Sequence, residues 1–87
     1  MTNTYDEDVL EVFLKNQRQL FPEDVASNYE EAEFFLEDVM AVVCDNKDEL
    51  FEVMEDNMDL SGMSEDEILG QSEVFAIGDG RFLYVEG

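Results

Sequence analysis

Histidine and tryptophan are absent from this chain, and cysteine and proline occur once each. Without histidine the usual general base, the commonest zinc ligand and the ordinary physiological-pH switch are all missing. A single cysteine, Cys44, rules out an internal disulfide and leaves nucleophilic catalysis without a candidate pair. Its place after the apolar run Val39-Met40-Ala41-Val42-Val43 predicts a buried packing role and fits a reducing compartment. Basic residues are also scarce: Lys15, Arg18, Lys47 and Arg81 stand against 24 Asp and Glu, for a net charge of −20. Most carboxylates therefore lack a cationic partner, and the resulting field favours encounter with cations while rejecting nucleic acid and anionic membranes. No run approaches the ~20 apolar residues of a membrane span. The start Met1-Thr2-Asn3-Thr4-Tyr5-Asp6 has neither the basic residues nor the apolar stretch of a secretory signal, so the cytosol is the expected compartment.

Hydrophobic residues nevertheless make up 45% of the chain, too many for a segment left disordered by lack of core material. A length of 87 residues suits one domain with one modest core, so residues 1–87 read as a single acidic unit. Asp6 or Thr4 caps a first helix to about Leu20, along which Val9, Leu10, Phe13, Leu14, Gln17 and Leu20 recur at helical spacing. Phe21-Pro22 stops it, with one short helical turn expected over Glu23-Asp24-Val25. Ser27 or Asn28 starts a second helix whose buried stripe is Ala32, Phe35, Leu36, Val39, Met40 and Val43, with Glu30, Glu33 and Glu37 opposite. Asn46 caps a third helix, lined inside by Leu50, Val53, Met54 and Met58 and running to about Asn57. Ser64 and Glu67 have capping-box spacing and predict a helical turn through Leu69, ended by Gly70. The period then changes. Val74-Phe75-Ala76-Ile77 and Phe82-Leu83-Tyr84-Val85 flank Gly78-Asp79-Gly80, the composition of a tight hairpin loop. The expected fold is α+β: a three-helix bundle, a short helical turn and a C-terminal β-hairpin whose apolar side (Val74 or Phe75, Phe82, Tyr84) lies on the helices or joins a partner's sheet.

Catalytic and ligand motifs fail on specific residues. Carboxylate pairs are unavoidable among so many acids and carry no weight as a glycosidase signal in a chain without tryptophan and too short for a sugar cleft. Gly78-Asp79-Gly80 lacks the length and the lysine of a phosphate loop. Asn57, Asp59, Ser61, Gly62 and Glu65 match part of an EF-hand calcium loop, but Ile68 stands where the closing bidentate acid belongs. The segment from Lys47 onward resembles a winged helix-turn-helix in outline only, because Ser64-Glu65-Asp66-Glu67-Ile68-Leu69 has three acids and no base. No enzyme activity, cofactor, resident metal or direct nucleic-acid binding is expected.

What remains is the acidic surface. Between Glu30 and Glu67 there are fifteen acids and one base, Lys47. Acids three or four residues apart on a helix stand at ~5–6 Å, an arrangement that costs helix stability. One DNA strand carries a charge per ~3.4 Å of axis, so a rigid carboxylate array suits Lys and Arg arranged for a phosphate backbone. The candidate contact residues are Glu30, Glu33, Glu37, Glu49, Glu52, Glu55, Asp56, Asp59, Glu65, Asp66 and Glu67, with Phe34, Phe51 and Met63 as apolar anchors among them. A merely solubilising or salt-adapted surface is the plain alternative, against which stand seven Phe, five Met and those interspersed anchors.

In size, charge and helix-plus-hairpin plan the whole chain resembles, as a class, the small acidic inhibitors of phages and mobile elements that imitate nucleic acid, including anti-CRISPR and antirestriction proteins. That class shares no motif, so the resemblance assigns no residue a role. It implies a phage or bacterial setting, a basic partner such as a nuclease or CRISPR effector, and inhibition by occupying its DNA site. The alternatives are an immunity protein or antitoxin neutralising a basic toxin, and a calcium-responsive interaction module.

Overall fold

The computed structural model describes residues 5–86. The order of elements is α1 (Glu7–Asn16), a 3-10 turn (Gln17–Gln19), α2 (Tyr29–Asp38), β1 (Val42–Cys44), α3 (Lys47–Asn57), α4 (Glu65–Leu69), β2 (Val74–Ala76) and β3 (Phe82–Tyr84). This is the α+β class that the sequence predicts, with one strand more than expected.

Each helix starts where a short polar side chain satisfies an orphan backbone donor. Asp6, Asn28, Asn46 and Ser64 have extended backbones and accept from the N–H groups of Val9, Glu31, Glu49 and Glu67 respectively. Thr4, the alternative first cap, lies outside the described residues. The helical turn expected after Pro22 does not form; residues 21–28 make an irregular loop. Gln17 explains it, because its buried amide accepts from the Val25 and Ala26 N–H groups and donates to the Leu14 and Ala26 carbonyls. The loop's backbone groups are thus paired with a side chain of the preceding turn instead of with one another.

The larger difference concerns the second helix, expected to run through Val43. It ends at Asp38 in a Schellman turn: Ala41 N–H bonds to the Leu36 carbonyl, Met40 N–H bonds to that of Glu37, and Met40 takes a left-handed φ of 59°. Glycine or asparagine would have advertised that stop; methionine hid it. Beyond the turn, Val42, Val43 and Cys44 pair antiparallel with Tyr84, Leu83 and Phe82. Val74, Phe75 and Ala76 pair with the same three residues from the other side, giving the order β1-β3-β2 with β3 central. The hairpin itself closes as predicted, with Ile77 N–H bonded to the Arg81 carbonyl and Gly78 and Gly80 at φ of 103° and 94°.

Directly paired residues share a face of the sheet, and the two faces bury into different cores. Val43, Leu83 and Phe75 join Val9, Phe13, Leu36 and others under α1 and α2. Cys44, Tyr84 and Val74 join Leu50, Val53, Met54 and Ile68 under α3 and α4. Two-sided burial explains why these strands read as continuous apolar runs instead of alternating ones. Phe13 is the centre of the first core, stacked on Phe35 at 5.8 Å and tilted against Phe75 at 5.5 Å. The chain's helices therefore flank the sheet: α1 packs on α2 and β2, whereas α3 packs on β1 and β3. Among the described residues no helix is long and apolar enough to cross a membrane.

Candidate acidic interaction surface

All four basic side chains are held in ion pairs. Lys15 lies 2.8 Å from Glu11, Arg18 lies 2.8 Å from Asp24, and Lys47 lies 2.5 Å from Glu65. Arg81 contacts Asp6 at 2.7 Å and Asp79 at 2.9 Å, with Asp8 at 4.0 Å. Its guanidinium hydrogen bond, helped by the Val9 N–H, holds the Asp6 carboxyl below its ordinary range. Three of these cations belong to α1, the turn after it and the hairpin, and the fourth to the first turn of α3. None pairs with the outer face of α2 or the later turns of α3.

The predicted contact acids separate into two groups. Glu30, Glu33 and Glu37 are exposed on α2, in the layer over the Phe13 core. Glu52, Glu55 and Asp56 on α3, Asp59 after it, and Glu65, Asp66 and Glu67 on α4 are exposed in the layer on the other side of the sheet. The single continuous field suggested by their order in the chain is thus divided by β1, the strand that sequence reading missed.

Several of the eleven also have structural work. Half-buried Glu49 accepts from the Asp45 N–H ahead of α3, Glu65 carries the Lys47 pair, and Glu67 receives the Ser64 hydroxyl in the capping box. Asp59 accepts from the Ser61 N–H, which with the Ser61 side chain lowers its pKa. Glu30, Glu33, Glu37, Glu52, Glu55, Asp56 and Asp66 form no ion pair among the described residues, and these seven contribute to the uncompensated charge.

Of the three predicted apolar anchors, Phe34 is 74% exposed, while Phe51 and Met63 are half-buried against the second core. Phe34 belongs to a groove of about 490 Å³ lined by Val25, Glu30, Glu31, Phe34, Phe35 and Asp38. Of these six, only Glu30 and Phe34 are contact residues expected from the sequence. The four-residue steps from Glu30 to Phe34 to Asp38 were the available signal. Met40, assigned in sequence to a buried stripe, is instead 76% exposed.

The remaining chemistry is structural. Cys44 is fully buried and burial, aided by nearby Glu49, pushes its thiol up to about 11, which keeps it protonated and unreactive. Ile68, at the closing position of the partial calcium loop, packs into the second core. Among the described residues no group of three or more Cys, Asp or Glu is placed to hold a metal ion.

Fold and surface together define a small acidic α+β domain with helices on both faces of a three-stranded sheet. No family model, curated protein or solved structure matches the chain.

Proposed function

We propose that this protein is a binding inhibitor that occupies the basic nucleic-acid site of a nuclease or related enzyme, its carboxylates standing in for phosphates. The observation that carries the reading is the distribution of charge: every Lys and Arg side chain is committed to an ion pair, while two helical surfaces present acids that form no ion pair among the described residues. Helices keep those acids at fixed spacing, so little ordering entropy opposes their engagement with Lys and Arg. Association releases the counterions that screened both surfaces, and the covered site is closed to nucleic acid. Because the sheet divides the acids, one layer or the edge between the layers faces the enzyme.

A second reading, neutralisation of a basic toxin, draws support from exposed Phe34, since an aromatic anchor is not needed to imitate phosphate. Competition separates the two. Immobilised protein is used to capture a basic nucleic-acid enzyme from bacterial lysate, and the enzyme is then rebound after preloading with duplex DNA. Under mimicry the preloaded enzyme is excluded, and raising salt weakens its hold on DNA and on this protein in the same direction. Undiminished simultaneous binding of both would sink the mimicry reading and leave toxin neutralisation.

A further inference from the structure

The α2 groove differs from the rest of the acidic surface in what stands between its carboxylates. Glu30, Phe34 and Asp38 follow one another at four-residue steps, so the ring has a carboxylate one helical turn away on each side, at the ~5–6 Å spacing of helix-surface neighbours. Val25 and half-buried Phe35 line the same groove. The occupant's chemistry follows from charge complementarity. An aliphatic side chain would desolvate Glu30, Glu31 and Asp38 without pairing them, and an anion would be repelled. A compact ammonium satisfies the charge but remains strongly hydrated and makes poor use of the ring. A guanidinium is planar and weakly hydrated; laid flat on Phe34, it directs its N–H groups outward, toward carboxylates beyond either edge of the ring. None of the four basic side chains competes for the position, because Lys15, Arg18, Lys47 and Arg81 are paired elsewhere.

We infer that the groove takes an arginine side chain of the basic partner, stacked on Phe34 between the Glu30 and Asp38 carboxylates. This deepens the reading of the chain as a binder of a basic protein surface and rests on it. Here the surface distinguishes arginine from lysine instead of responding to charge alone.

The test needs no identified partner. Hexa-arginine and hexa-lysine peptides, equal in charge, are titrated into the full chain at matched ionic strength, with affinities from calorimetry and contacts from the Phe ring resonances in NMR. Phe34→Ala should weaken hexa-arginine binding about three-fold, the size of a cation–π contact at an exposed site, and weaken hexa-lysine binding by clearly less. Since the side chain is 74% exposed, the variant keeps its core, which the unchanged resonances of Phe13 and Phe75 would verify. Met40→Ala, an exposed apolar control that does not line the groove, should alter neither affinity. Equal losses for the two peptides in Phe34→Ala, or no loss for either, would overturn the inference. This result is independent of DNA competition: failure here with DNA exclusion intact leaves mimicry without an arginine pocket, and the converse leaves the pocket without mimicry.

Discussion

Gln17 is a polar side chain in a core otherwise made of aliphatic and aromatic groups, and its amide uses both lone pairs and both N–H groups. It was legible as an inward-facing position from helical spacing, but its partners lie in a loop that carries no periodic signal. Met40 presents the converse case, an apolar side chain turned to solvent at a backbone angle that L-residues avoid. The left-handed conformation costs a residue with a Cβ roughly 1–2 kcal/mol, and glycine escapes it at some entropic cost in the unfolded chain. With the side chain 76% exposed, little packing offsets the strain. Met40→Gly is therefore expected to stabilise the protein by about 0.5–1 kcal/mol, read as a higher urea midpoint, whereas Met40→Ala, which keeps a Cβ, should change it little. A lower midpoint for the glycine variant would mean that the methionine side chain supports the fold.

At the scale of elements, capping chemistry was the most legible feature. Asn28, Asn46 and Ser64 each precede a Glu at the third helical position, and all three caps form. The strand β1 was not legible, because a short apolar run followed a helical pattern without a glycine or proline between them and fits either period. Missing β1 also hid the division of the acidic surface, since only a strand there places the sheet between α2 and α3. Arg81 links two distant elements by pairing the α1 cap Asp6 with the hairpin-loop acid Asp79. Asp6→Asn keeps a cap acceptor but removes the charge. The folded-state pKa of Asp6 is lowered, so the stability gained from its ionised form is complete above the ordinary Asp value of ~3.9 and is lost as pH falls through the lowered value. The wild type should exceed Asp6→Asn by no more than ~1 kcal/mol at neutral pH, as befits a partly exposed pair, with the gap closing in acid. Urea titrations of both proteins across that range measure the gap, and one that widened in acid would contradict the assigned role.

For the molecule as a whole, the decisive comparison is between its size and the reach of its charges. The described residues span 37 × 25 × 22 Å and include all 24 acids. At ~0.01 M ionic strength the Debye length is ~30 Å, longer than either shorter dimension, so carboxylates over the first core repel those over the second. At ~1 M it falls to ~3 Å, and only immediate neighbours still interact. Salt also weakens the ion pairs of Lys15, Arg18, Lys47 and Arg81, but solvent-exposed pairs contribute little to stability. Repulsion spread over a net charge of −20 outweighs them, which fixes the sign: added sodium chloride should stabilise the fold. The expected gain between low salt and ~0.5 M is on the order of 1 kcal/mol, read as a rise of roughly 4–8 °C in melting temperature for a domain of this size. Chloride is the suitable anion, because sulfate would strengthen apolar burial on its own account. A flat or falling melting temperature over that range would show that the acids are compensated in solution, and the charge distribution on which the proposed function rests would fail with it.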